Sequence, residues 1–157
     1  MQTFERNNMN NCNLKKEIVR KCFSACWGKN GNVTSLELFY DSKVKINAPL
    51  QGSLNGVEQL QGFIRGVRLA FPDMDFELVL PLISEDDYVV GYWKGGGTHS
   101  GIAMPDFVGG PLPAATNKKV YFSGITIWKF KDNKIIEEIT EEGAWTMFEQ
   151  LDLVKKL

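Results

Sequence analysis

The chain has 157 residues, which fits one domain large enough to bury a real core. Eighteen Lys and Arg against nineteen Asp and Glu leave a net charge of −1. With only Arg6, Arg20, Arg65 and Arg68 as arginines, there is no basic stripe to release counterions from a nucleic acid. No uninterrupted apolar run approaches membrane-spanning length, so neither nucleic acid nor a membrane is an expected partner.

The opening MQTFERNNMNNCN is polar and Asn-rich and lacks the apolar centre of a signal peptide. We expect residues 1–12 to form a flexible tail and 13–157 to form the domain. Cys12, Cys22 and Cys26 are an odd set. Cys22 and Cys26 fall four apart on the apolar side of a helical pattern, and no second Cys/His cluster accompanies them. They read as reduced thiols of a cytoplasmic protein rather than as a metal or redox pair. No metal and no cofactor are expected.

Leu14, Ile18, Val19, Cys22, Phe23, Cys26 and Trp27 recur at three- and four-residue spacings, which predicts a helix over 14–27 stopped by Gly28. TSLELFY predicts a second, short helix capped by Thr34 or Ser35, and SKVKINA a short strand ending at Pro49. Asn55 is placed to cap a helix over 56–70 whose face carries Val57, Leu60, Ile64, Val67 and Phe71. Past Pro72 the period changes to alternation. DMDFELVLPLIS, DDYVVGYWKGGGTH, KKVYFSGITIWKFK and KIIEEIT predict four strands, the last two joined by a tight Asp132–Asn133 turn.

SGIAMPDFVGGPLPAATN, between the second and third of these strands, is too rich in Pro and Gly for regular structure. Its Met104, Phe107, Val108 and Leu112 suit either a lid over a pocket or a dimer contact. A final helix follows Gly143, with Trp145, Met147, Phe148, Leu151 and Val154 on its apolar sides. Helices followed by a strand meander predict an α+β domain, a curved antiparallel sheet folded over helices and enclosing a pocket.

AFPDMDFEL, GTHSG, TNKKVYFSGITIWKFKDNKIIEE and FEQLDL, in that order and spacing, resemble the SnoaL-like polyketide cyclases of the nuclear transport factor 2-like superfamily. The resemblance spans roughly Tyr40 to Leu153. It implies a cone-shaped α+β barrel with a deep apolar cavity, usually in a homodimer or higher homo-oligomer. It also implies cofactor-free ring closure by intramolecular aldol condensation, with an acidic side chain moving the proton. Burial raises such a carboxyl's pKa toward neutrality, where it both takes and gives a proton.

The family's catalytic pair is missing. Aligning NKIIEE with the family's GKIVEE puts Ile139 at a cavity-lining Trp, Gly143 at the catalytic Asp and Thr126 at a His. Glu141 and Glu142 read better as helix-start electrostatics than as catalytic groups. Strict alternation places Ile135, Glu137, Ile139 and Glu141 on one face, so Glu137 is one candidate acid. The competing reading has it paired with a neighbouring Lys.

His99, the only histidine, is the other candidate, as acid–base group or as anchor of the long loop. The three glycines before it suggest a bulge or a close backbone approach. Tyr92, Trp93, Phe122, Thr126, Trp128 and Ile139 are the expected substrate-binding wall, with Trp145 a further aromatic candidate. The expected function is a cofactor-independent, acid–base cyclase or isomerase for a hydrophobic small molecule, such as a polyketide or another secondary metabolite. The alternative is a non-catalytic binding protein that kept the cavity.

Overall fold

The computed structural model describes residues 2–105, 107 and 110–154, with the backbone alone for 2–10. The elements run α1 (Gln2–Trp27), a 3-10 helix (Val33–Leu38), β1 (Tyr40–Ala48), β2 (Gly52–Asn55), α2 (Val57–Ala70), β3 (Asp75–Leu78), β4 (Ile83–Glu85), β5 (Tyr88–Thr98), β6 (Lys119–Lys131), β7 (Lys134–Glu142) and α3 (Ala144–Gln150).

The predicted face of the first helix is the buried one: Val19, Cys22, Phe23 and Cys26 point into the core. The helix begins at Gln2, so the segment expected as a tail is helical. No Pro or Gly interrupts residues 2–27, and extending an existing helix is far easier than nucleating one. Asn32, rather than Thr34 or Ser35, caps the 3-10 helix, its Oδ1 accepting the N–H of Thr34 at 3.1 Å. The N-cap of α2 is Gly56 (φ 91°) and not Asn55, whose backbone N–H donates to Gln59 Oε1 at 2.9 Å.

Seven strands form one open, curved sheet in the order β2-β1-β7-β6-β5-β3, with β4 also on β5. This is the α+β architecture the sequence predicts, with two refinements. The pair β1–β7 is parallel while all other pairs are antiparallel. The long segment after Pro72 divides into β3 and β4 around Pro81, which has no N–H for a ladder. The Asp132–Asn133 turn has φ 49° and 61°, the positive pair that a two-residue hairpin requires.

Trp128 and Ile64 are buried as expected, whereas Val67 and Phe148 are only partly so. Lys15 is nearly buried on the inner side of α1. Its Nζ donates to Asp86 O at 2.6 Å and Asp87 Oδ1 at 2.8 Å, clamping the helix to the β4–β5 turn.

The glycine run before His99 marks close backbone approach. β5 and β6 pair in unbroken register from Tyr88 to Thr98, so no bulge is present there. A Cβ on Gly96 would stand 1.8 Å from Val120 O, and one on Gly95 2.2 Å from Asp75 O. Gly96→Ala is therefore expected to cost at least about 1–3 kcal/mol, read as a lowered urea midpoint. An unchanged midpoint would show that the strands do not approach this closely.

Candidate active site

The site is set by a slip in β7. Against β6, Lys129 pairs with Glu137 but Phe130 pairs with Ile135, leaving Ile136 as an extra residue. The pairing of β7 with β1 shifts over the same stretch, from Tyr40↔Ile135 to Lys45↔Glu137. A bulge of this kind reverses which alternate side chains face the core. Ile135 is inside before it, and Glu138, Thr140 and Glu142 face inward after it.

Glu138, Thr140 and Glu142 enter a cavity of about 820 Å³ between atoms, open mouth included. Its apolar wall includes Phe23, Trp27, Phe63, Phe76, Trp93 and Phe122. No described lining residue is cationic, and among the described residues the two lining carboxyls are Glu138 and Glu142.

Of the inward side chains of β7 past the bulge, Glu138 is the most buried, 4% exposed. Its Oε2 accepts the Tyr40 O–H at 2.5 Å and the Trp128 Nε1–H at 3.0 Å. Burial pushes this carboxyl's pKa up, and the two donors partly offset the rise by favouring the charged form. Burial likewise raises the Tyr40 hydroxyl and the Cys26 thiol beside it, so neither is a ready nucleophile at neutral pH. Nearer the strand end, Trp93 Nε1 donates to Thr126 Oγ1 at 2.9 Å, and Thr126 and Thr140 hydroxyls bond at 2.8 Å.

Glu142 closes the row. Its Oε1 accepts the Leu50 N–H at 2.8 Å, tying the β1–β2 turn to the end of β7. Burial raises its pKa to about 7; the Leu50 bond pulls it down, and the charges of Glu138 and Glu141 push it up. A carboxyl poised there is half ionised at neutral pH and suits either direction of proton transfer.

Several expected site residues are elsewhere. Glu137 faces away from the cavity, in register with Lys45 and Lys129 on its two neighbouring strands. Ile139 is 41% exposed on the same outer face. After the bulge both residues lie on the outer face, against alternation for Glu137 and against the family alignment for Ile139. Tyr92 also faces outward, with Lys94 Nζ 5.6 Å from its ring centre, because its neighbour Trp93 takes the inner side of β5. Trp145 is 58% exposed.

His99 is fully buried but does not line the cavity. It stacks on Phe71 with ring centres 4.9 Å apart, and Nδ1 meets Thr116 Oγ1 at 3.1 Å. Its backbone closes the neck of the long loop through His99 N–H to Lys118 O and Asn117 N–H to His99 O, each 2.9 Å. Burial lowers its pKa, keeping the ring neutral.

Trp93, Phe122, Thr126 and Trp128 do line the cavity. Glu142 stands on the cavity wall rather than in the first turn of α3, which holds no acidic residue, so the expected helix-start role does not describe it. Gly143 is the N-cap of α3 and lies outside the cavity lining. From the long loop, Met104 and Phe107 line the cavity, and Met104 pairs with Leu112. Val108, also expected there, lies outside the described residues. Among the described residues no three His, Cys, Asp or Glu side chains are grouped to hold a metal ion. No described helix is long and apolar enough to cross a membrane.

A small α+β domain with carboxyls set into an apolar cavity is the class of protein that fold and site define. The chain belongs to the SnoaL-like polyketide cyclase family, whose model matches residues 17–151. Among solved structures it resembles a protein of Jannaschia sp. CCS1 described provisionally as a SnoaL-like polyketide cyclase (TM-score 0.75, 18% identity, covering 91% of this chain and 94% of that one). It also resembles a provisional polyketide cyclase of Acidithiobacillus ferrooxidans (TM-score 0.69, 22% identity, covering 90% and 96%). A phenazine biosynthesis-related protein of Pseudomonas aeruginosa shares the fold as well (TM-score 0.71, 13% identity, covering 97% and 94%). No curated protein matches the chain.

The raised pKa of Glu142 has a consequence for stability. Unfolded, the carboxyl ionises near its ordinary 4.5; folded, it holds its proton up to about 7. The folded state therefore binds more protons between these values, and stability falls as pH rises through that window. Glu142→Gln keeps an acceptor for Leu50 and removes this slope. The variant is expected to exceed the parent at about pH 8 by roughly 2–3 kcal/mol, measured by denaturant titration across pH. A variant no more stable there would mean that Glu142 ionises freely.

Proposed function

We propose that the protein is a cofactor-independent cyclase or isomerase acting on a hydrophobic, carbonyl-bearing small molecule of polyketide type, with Glu142 as its acid–base group. The observation that carries this reading is the Glu142 carboxyl on the cavity wall with a pKa raised to about 7. Family membership supports the reaction class.

In the proposed reaction, ionised Glu142 takes a proton from a carbon flanked by carbonyls, and the C–H electron pair becomes the enolate. The enolate carbon bonds to a second carbonyl carbon of the same molecule. The resulting alkoxide takes the proton back from Glu142. Atoms and charge balance within one substrate. The aromatic walls hold the chain folded and exclude water, converting a floppy molecule into a near-attack geometry. Glu138, already bonded to Tyr40 and Trp128, shapes and polarises the cavity floor.

The test is turnover of a panel of linear and partly cyclised polyketide esters, with products separated chromatographically. Glu142→Gln should lower kcat on the order of 10²–10⁴-fold. The parent's kcat/KM should rise through about pH 7 as the carboxylate forms. Gly143→Asp should add nothing. An inactive parent that gains cyclisation from Gly143→Asp would instead mark a binding protein that has lost its acid.

We also propose a homodimer formed through the outer sheet face. Tyr121, Ile125 and Ile139 are 60%, 47% and 41% exposed there, and Ile125 and Ile127 stand in register with Tyr92 and Ile139. Ile125→Lys should shift the sedimentation coefficient from dimer to monomer. An unchanged coefficient, or a parent that is already monomeric, would remove this face as the contact.

A further inference from the structure

We propose that Gln51 is a specificity-determining residue whose Oε1 accepts a hydrogen bond from a hydroxyl of the molecule in the cavity and so orients it against Glu142. This rests on the cavity being the substrate site. Gln51 sits in the turn between β1 and β2, is 7% exposed, and lines the cavity. The preceding residue, Leu50, is the one whose N–H is held by Glu142 at 2.8 Å. The amide and the carboxyl are therefore fixed to the same rim.

The polar atoms of the wall differ in what they have left to offer. Trp93, Thr126 and Thr140 bond one another, and Tyr40 and Trp128 both donate to Glu138. Gln51 Oε1 is buried and has no hydrogen-bond partner among the described residues. The other buried side-chain nitrogen and oxygen atoms without partners among those residues belong to Arg68, Ser84 and His99, none of which lines the cavity.

Leaving an amide oxygen dry and unpaired in an apolar wall is costly, and a Leu or Met there would avoid the cost. The arrangement makes sense if a guest completes the bond. The amide oxygen accepts, so the group that completes the bond is a donor, and a hydroxyl of the guest supplies one.

Calorimetric titration with 1-naphthol and 1-methylnaphthalene tests this, since the two differ in little but the hydroxyl. Gln51→Leu, or the unbranched Gln51→Met should the first fold poorly, is expected to weaken 1-naphthol roughly 5- to 30-fold. Binding of 1-methylnaphthalene should stay unchanged or tighten. Equal weakening of both would mean that the variant merely repacks the rim, and no change in either that a resident water satisfies the amide; both results overturn the proposal. In those cases 1-methylnaphthalene still binds the parent and the cavity reading stands without Gln51. A parent that binds neither compound removes both.

Discussion

The rest of the site depends on one extra residue in β7. With Ile136 unpaired against β6, the strand changes phase, and Glu138, Thr140 and Glu142 turn inward while Glu137, Ile139 and Glu141 turn out. Without the bulge, the cavity wall would carry Glu137, Ile139 and Glu141 in their place. The chemistry available would then be that of a different set of atoms. The bulge is held on both sides, because the β1 pairing shifts across the same residues. Glu138 adds a further tie: from β7 it accepts hydrogen bonds from Tyr40 on β1 and Trp128 on β6. A buried carboxyl without donors would be expensive, so this pairing favours the shifted phase over the unshifted one.

That tie also divides the labour within the cavity. Glu138 holds three neighbouring strands together and has both its donors in place, which suits a fixed floor. Glu142 accepts a single backbone bond through Oε1, and its other oxygen has no hydrogen bond from the described residues. Two carboxyls of one strand thus sit in different environments: one is built into the sheet, the other is left open at the rim beside Leu50 and Gln51. Their mutual repulsion is one of the effects that raise the Glu142 pKa. The charge of Glu138, itself tied into the sheet, therefore acts on the more open carboxyl from the same strand.

Most of the fold is legible in the sequence because its signals are local. The helical face of Val19, Cys22, Phe23 and Cys26, the Asp132–Asn133 turn and the β6 alternation of Phe122, Thr126 and Trp128 all follow directly from residue spacing. The β1–β2 hairpin is harder to see, since four residues around Gly52 (φ 68°) carry almost no apolar pattern. The site is misread where strict alternation is extended through β7. The sequence II-EE-I-T-EE repeats like residues in neighbouring positions, which no half-buried strand does in perfect alternation. Those doublets are the available sign of a phase slip. His99 was ambiguous for another reason: titratable chemistry and loop anchoring ask for the same residue, and only packing on Phe71 separates them.

The bulge also links the two faces of the sheet. Turning Glu138 and Glu142 inward necessarily turns Ile139 outward, where it stands opposite Ile127 and near Ile125. An isoleucine on a solvated face would be an odd choice if that face stayed bare, and the neighbouring Glu137 and Glu141 provide a charged border around it. The apolar outer face and the acidic inner wall are then two results of one displacement. Any change that restored strict alternation in β7 would exchange Glu138 and Glu142 for Glu137 and Glu141 on the cavity wall and bury Ile139 at the same time. The placement of Glu138 and Glu142 and the exposure of Ile139 therefore change together, so the length of this strand is constrained from both of its faces.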